Sequence, residues 1–439
     1  MGKKLLLIVV CYISLCNWYC YAENNNTLNL SIDDLFSLID SNNIDVKVAR
    51  KAVSVAKQGE SVAKAARLPE IEASIGLNFL GDATILDRDF SNVTNADMPH
   101  FGNSLSVTAY QPVYTGGAIN SSIKLAKAQT AMANIEFDKT LSGTRMEVIS
   151  CYLNLYKNYN LQKVYDENIS LTKLLIADME AKKRQGIVLQ NDITRYELRL
   201  STLNYDLIAI QNNIKVLNYN LTTRLGIDSS TTIIPDSSII NQDLPIGDIS
   251  DWQTIAKDNS FATRQVKTEK DIALFNDKIV RSARLPHIGI VAGNIFDGPI
   301  TIEVPPINKN LNYWWIGIDI SYNISSLFKS NKEIKKSALN IAQISARYDA
   351  TTENVDRQIE QAYTSFTQAF ELLKTQEKNV ELATENYRIV EKRFDNQLAL
   401  LTDMLDASSA KLEADVRLVN AQISTIFYYY QLKFISGTL

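Results

Sequence analysis

Few residues in this 439-residue chain stand at spacings that could do chemistry. Asp403 and Asp406 are the clearest pair, because at i, i+3 on a helix-patterned segment both carboxylates share one face. Two readings fit that spacing. Acidic residues favour a helix N-terminus through its dipole, and a shared acidic face attracts cations. His100 and His287 lie far apart, and neither has a cysteine or histidine at metal-ligand spacing, so no metal site is expected. Cys151 sits beside Tyr152, Leu153 and Tyr156, a setting that reads as helix packing rather than as a nucleophile. Gly116-Gly117 lacks the Gly-Lys-Ser/Thr that would continue a phosphate-binding loop. With Pro112 it reads as a strand-to-helix hinge. No catalytic constellation and no cofactor site emerges, so the chain is not expected to be an enzyme.

The elements that would carry these residues are written twice. Ala66-Arg67-Leu68-Pro69-Glu70-Ile71 returns as Ala283-Arg284-Leu285-Pro286-His287-Ile288, 217 positions later. All nine prolines fall at 69, 99, 112, 235, 245, 286, 299, 305 and 306, which leaves two long stretches without breakers. Ser31-Ile32-Asp33-Asp34 predicts a capped helix running to about Ala66, and Ile249, Asp251 and Trp252 match Ile32, Asp34 and Leu35. After each Leu-Pro comes a period-2 pattern: Ile71, Ala73, Ile75, Leu77 and Phe79 first, Ile288 to Phe296 second. A polar loop from Gly81 to Gly102 leads to a strand over 104–110, and a shorter loop leads to one over 314–324. Helical spacing follows. Ile193, Tyr196, Leu200, Leu203, Leu207, Ile210, Ile214, Leu217 and Leu221 step 3-4 without a break, the spacing of a coiled-coil seam. Comparable stripes run from Ile341 to Leu373 and from Leu405 to Tyr430. Helices over 118–181 and 329–392 would each extend roughly 95 Å, too long to surround one compact core. The turns at 182–192 and 393–403 also correspond. The expected division is a leader over 1–22, a first repeat over 23–235 and a second over 236–439.

Lys3-Lys4, the apolar run from Leu5 to Leu15 and the small residue Ala22 predict a secretory signal peptide cleaved after Ala22. Without those lysines the formal charge moves from −4 to −6, which gives no electrostatic case for nucleic acid. Cys151 is then the only cysteine left, so packing rather than an intrachain disulfide must hold the exported chain together. Two amphipathic hairpins supply four strands, which cannot close alone, and a membrane sheet must close. Several copies would therefore have to share one barrel. Phe79, Phe101, Tyr110, Tyr114, Phe296, Tyr313, Trp314, Trp315 and Tyr322 read as an interfacial girdle at strand ends. A soluble sheet with one buried face is the bland alternative.

In this arrangement the chain resembles the TolC-type outer-membrane efflux proteins. The resemblance rests on the two Leu-Pro strand openings and on Gln111-Pro112-Val113-Tyr114-Thr115-Gly116-Gly117. It rests also on Arg393-Phe394, on Thr402-Asp403-Met404-Leu405-Asp406-Ala407 and on the ending Ser436-Gly437-Thr438-Leu439. It implies an α+β membrane protein built from an internal tandem repeat. Three chains with four strands each would form a 12-stranded β-barrel continuous with a long α-helical coiled-coil barrel. The partners implied are two further copies, outer-membrane lipid, a periplasmic adaptor and an inner-membrane pump of RND or ABC type, the latter as in type I secretion. By resemblance Asp403 and Asp406 line the periplasmic entrance, with Asp192 as their first-half counterpart, and six carboxylates in a trimer would favour cations. Phe394 stands where members can carry an aromatic gate residue. Ala399 stands where some carry a gating arginine, and Gln397 replaces the turn glycine kept as Gly186, so at these two positions the chain departs from the pattern that carries an interchain latch in those members. A periplasmic adaptor built on a helical hairpin is the competing class. It would carry one hairpin flanked by small β domains rather than two copies with amphipathic strands.

Overall fold

The computed structural model describes residues 27–242, 244–245, 247–303, 306–396 and 398–439. The expected leader over 1–22 lies outside them, as does Gln397. Described in chain order, β1 (Thr27–Leu30), α1 (Ile32–Asn42) and α2 (Ile44–Ala65) lead to β2 (Glu70–Phe79). A small hairpin, β3 (Ala83–Ile85) and β4 (Thr94–Ala96), precedes β5 (Phe101–Thr115), α3 (Ala118–Arg184), α4 (Gln190–Leu225) and β6 (Thr232–Pro235). Then come α5 (Ile249–Asn259), α6 (Phe261–Ser282), β7 (His287–Gly298), β8 (Leu311–Ser321), α7 (Ser326–Asp395) and α8 (Leu401–Ser436). The residues group into two compact units. One takes the segments up to Lys47, Thr140–Ala256 and Arg357–Leu439, the other Val48–Lys139 and Lys257–Asp356. No described helix is long and apolar enough to cross a membrane.

The first helix starts where its cap predicts. Ser31 Oγ accepts the Asp34 N–H at 3.2 Å, and the Asp34 carboxylate accepts the Ser31 N–H at 3.0 Å. It does not run unbroken to Ala66. Asn43 is extended (φ −61°, ψ 133°), its carbonyl oxygen accepts the Val46 N–H, and its amide donates to Arg224 O at 2.8 Å. One side chain thus caps the next helix and ties it to the end of α4. Ser260 holds the same extended conformation between α5 and α6 (φ −53°, ψ 130°).

In the sheet unit the strands order β2-β5-β7-β8, antiparallel throughout. The two expected hairpins are therefore one sheet, joined where β5 pairs with β7. β5 is longer than the pattern suggested, and it carries a bulge between Pro112 and Tyr114. Proline cannot donate to the ladder, so a bulge is where it fits. The expected strand over 314–324 sits three residues earlier, which leaves Tyr322 and Ile324 beyond its end. The expected loop over 81–102 contains the β3–β4 ladder.

In the helical unit the predicted stripes are the packed ones. Ile359, Ala362, Phe366 and Ala369 are all buried. Along α4, Ile193, Tyr196, Leu203, Ile210 and Leu221 are buried while Leu200, Leu207 and Ile214 are only half covered. A parallel pair, β1 with β6, had no sequence signal. It is pinned by Tyr152, whose fully buried hydroxyl donates to Leu30 O at 2.6 Å and accepts the Asp236 N–H at 2.8 Å.

Tyr152→Phe leaves Leu30 O and the Asp236 N–H with only their long mutual bond of 3.4 Å and should cost ~1–3 kcal/mol, read as a lower Tm. Burial also pushes the Tyr152 phenol up to about 12. The unfolded chain therefore loses this proton first, near pH ~10. The contribution is intact below pH ~10 and is lost as pH rises through about 12, so wild-type stability should fall in that window. Alkaline thermal melts check this, and Tyr152→Phe should flatten the fall.

Candidate functional site

The two helix turns that carry the acidic candidates are built alike. At the end of α3, Gly186 takes φ +78°, and the Ile187 and Gly186 N–H groups return to Lys182 O and Lys183 O at 3.0 and 2.9 Å. That is a Schellman ending, which needs a left-handed residue. At the end of α7 the Leu398 N–H returns to Arg393 O at 2.7 Å, the same long-loop bond. Arg393 closes this turn further by donating to Leu398 O at 3.2 Å.

Each following helix then starts on a carboxylate. The Asp192 side chain accepts the Leu189 N–H at 3.2 Å, and Asp403 accepts the Leu400 N–H at 2.9 Å. Leucine has no capping atom of its own, so the acid three residues on satisfies the orphan donor. Asp403 and Asp406 are both exposed, while Met404 and Ala407 between and beyond them are buried against the helical core. Two carboxylates therefore face away from the packing on one flank of α8, as the i, i+3 spacing predicts. The Asp403 carboxylate also has a structural task that spacing alone offered only as one of two readings.

Phe394 and Asp192 share a pocket of about 280 Å³ with Met179, Lys182, Val188 and Leu401. The Phe394 ring is half-buried, with Lys182 Nζ 5.2 Å from its centroid, and Lys182 is also paired with Asp178 at 2.7 Å. Phe394 thus bridges the end of α7 to the end of α3. Beneath this pocket Met179, Ile193 and Tyr196 form a buried cluster packed against Leu175, Leu401 and Leu405. The Tyr196 hydroxyl is buried there without a hydrogen-bond partner, and burial raises its phenol. Sequence reasoning placed Tyr196 in a seam but had no signal for its buried hydroxyl. Ile187, Leu189, Leu398 and Leu400 are largely exposed around both turns.

Pro112, Gly116 and Gly117 belong to the sheet unit. Gly116 and Gly117 take φ +62° and +86° between β5 and α3. A Cβ on Gly116 would stand 2.8 Å from both Ser282 O and Leu285 Cβ, whereas one on Gly117 would meet nothing within 4 Å. His100 and His287 carry no metal cluster: among the described residues no group of three His, Cys, Asp or Glu is placed to hold an ion. Cys151 is a half-buried free thiol that donates to Leu217 O at 3.4 Å, and burial raises its pKa, away from nucleophilic reactivity.

An antiparallel sheet with an exposed apolar face, joined in sequence to paired long helices, defines an outer-membrane channel class. The family model for the outer membrane efflux protein matches residues 35–226 and 254–438, so the chain belongs to that family. It is an outer-membrane protein with its helices on the periplasmic side, in a family of channels rather than enzymes. The adaptor class is thereby set aside. The chain is similar to the outer-membrane channel OprN (15% identity, 93% of this chain and 90% of that one, TM-score 0.77). It is similar also to VceC of Vibrio cholerae (15%, 92% and 96%, 0.77) and to the CmeC channel of Campylobacter jejuni (14%, 93% and 85%, 0.74). No curated protein matches it.

Two variants separate the cap from the charge. Asp403→Ala should lower stability by ~0.5–1 kcal/mol, whereas Asp403→Asn keeps an acceptor and should stay within about 0.5 kcal/mol of wild type in thermal melts. Gly116→Ala should destabilise more than Gly117→Ala, because the second bears only the left-handed strain of ~1–2 kcal/mol while the first adds a clash with backbone.

Proposed function

We propose that three copies of this chain form a passive conduit from periplasm to exterior, closed or opened at the helix turns around Asp403. The observation that carries it is the sheet. β2 and β8 each have one unpaired edge, and one face bears Ile71, Ile75, Leu77, Phe79, Trp314, Ile316, Ile318 and Ile320 at 67–80% exposure. Water would not tolerate that face, and hydrocarbon would not tolerate those edges. Pairing β2 of one copy with β8 of the next answers both demands. Four strands per chain is an even number, so antiparallel alternation survives closure with any number of copies. Three would give the 12-stranded barrel that the family resemblance implies.

The half-covered flank of the α4 seam supports the same assembly, since Leu200, Leu207 and Ile214 would be covered by a neighbouring helix in a coiled-coil barrel. The two halves, 23–235 and 236–439, act in this reading as tandem repeats that supply equivalent helix pairs. At the turns, Asp403 and Asp406 line the entrance with Asp192, and Phe394 braces the two helix pairs against each other. Exposed Ile187, Leu189, Leu398 and Leu400 offer an apolar rim to a periplasmic adaptor, through which an inner-membrane pump of RND or ABC type would supply energy.

Single-channel recording in planar bilayers tests this reading. Wild type should give small, cation-selective conductance blocked by divalent ions, and the Asp403→Ala/Asp406→Ala variant should lose the selectivity and the block. Unchanged conductance would remove the entrance assignment. No conductance, together with release of the protein from membranes by carbonate, would remove the channel.

A further inference from the structure

The strand register divides the sheet's aromatic residues between two faces. The girdle is expected at strand ends, but Tyr110 lies well inside β5 and Tyr322 beyond β8, and Tyr110, Tyr313 and Trp315 are on the face opposite Ile71, Ile316 and Ile318. The reason is parity: cross-strand partners share a face, and alternate residues change it. Trp314 stays on the apolar face, while Trp315 pairs with Gly293 across β7 and β8.

Two of these rings cover bare backbone. A Cβ on Gly293 would fall 2.8 Å from the Trp315 ring, and one on Gly289 would fall 2.3 Å from the Tyr110 ring. The glycines are what leave room for the rings over the sheet, and Trp315 keeps 38% of its surface exposed there. The rows are adjacent. Glu70, Tyr110, Val291 and Gly317 form one, and Glu72, Thr108, Gly293 and Trp315 form the next. Asp319, opposite Gly289, stands in the row on the other side, next to the strand ends that join the helices. The same face holds every carboxylate of the four strands, Glu70, Glu72, Asp297 and Asp319, and the strands contain no Lys or Arg.

We propose that Tyr110 and Trp315, flanked by Glu70, Glu72 and Asp319, form a platform that binds planar organic cations inside the barrel. This rests on the barrel reading above, in which the apolar face meets lipid and this face lines the lumen. Two requirements select the ligand. Aromatic rings held over the sheet offer stacking to a flat aromatic solute, and their quadrupoles favour positive charge. The surrounding carboxylates add a field of the same preference, with no fixed cation to oppose it. A planar anion meets repulsion here, and a non-planar cation gains the field without the stacking. The platform would hold such solutes briefly where helices give way to strands, which raises their local concentration on the path.

The test uses the full chain, purified in detergent and titrated with N-methylacridinium followed by fluorescence polarisation, with 1-pyrenesulfonate as the planar anion. Saturable acridinium binding is expected, with none for pyrenesulfonate. Trp315→Leu keeps an apolar cover over Gly293 and should weaken binding about 3- to 30-fold, the range of one desolvated cation–π contact. The Glu70→Gln/Glu72→Gln/Asp319→Asn variant should weaken it and flatten its salt dependence. Equal binding of both dyes, or acridinium binding that both variants leave unchanged, overturns the platform. Thiol labelling in liposomes tests the underlying reading separately, with Ser104→Cys and Ile318→Cys each made in a Cys151→Ser background. A membrane-impermeant reagent should modify only Ser104→Cys. Modification of Ile318→Cys instead would overturn the barrel orientation and the platform together, whereas labelling as expected with no dye binding overturns the platform alone.

Discussion

Hydrocarbon offers a peptide group no hydrogen-bond partner, and that constraint organises the sheet end of this protein. Four antiparallel strands satisfy one another internally but leave β2 and β8 each with an open edge. A soluble protein would blunt such edges with charge or proline, or cover the apolar face with helices. Here the edge-strand carboxylates Glu70, Glu72 and Asp319 all lie on the other face, no described helix covers the apolar one, and it carries isoleucine, leucine and tryptophan at high exposure. The sheet by itself leaves both demands unmet, and the proposed closure with further copies would remove both costs at once. The charges obey the same rule, since every carboxylate of the strands sits away from the apolar face.

The helical end meets a different difficulty. Helices of 67 and 70 residues cannot bury their apolar stripes by folding back on one compact core. Their apolar stripes instead become seams against shorter helices, such as the 36-residue α4 and α8. Helix ends then matter more than usual, because each turn must satisfy its orphan donors and acceptors beside water. The two turns solve this in one way: a Schellman bond closes the preceding helix, and an aspartate at the third position starts the next. The acid that would face a passing solute is also the acid that caps its helix. In the proposed entrance, charge and geometry would therefore be coupled through one side chain.

The candidate site was partly legible. The i, i+3 spacing of Asp403 and Asp406 placed both carboxylates on one exposed flank, since helical periodicity is local and survives any packing. The capping role of Asp403 was one of two readings until the bond to Leu400 was seen. The pairing of Lys182 with Phe394 was invisible, because residues 212 positions apart in sequence leave no local trace of their contact. Tyr152 was read as packing around Cys151. Its hydroxyl in fact joins β1 and β6, a parallel pair too short to carry a periodic signal.

The amino-acid sequence by itself determined the long helices, the four main strands, the helix caps and the polarity of each face. All of these are set by period, by breakers and by local caps, which act within a few residues. Tertiary structure decided the break at Asn43, the joining of two hairpins through β5 and β7, and the face on which each aromatic stands. These depend on register and on partners far along the chain, such as Arg224 O for Asn43 and Gly293 for Trp315. A one-residue slip would send every side chain of a strand to the opposite face, and no window of sequence shorter than the pairing itself contains that information.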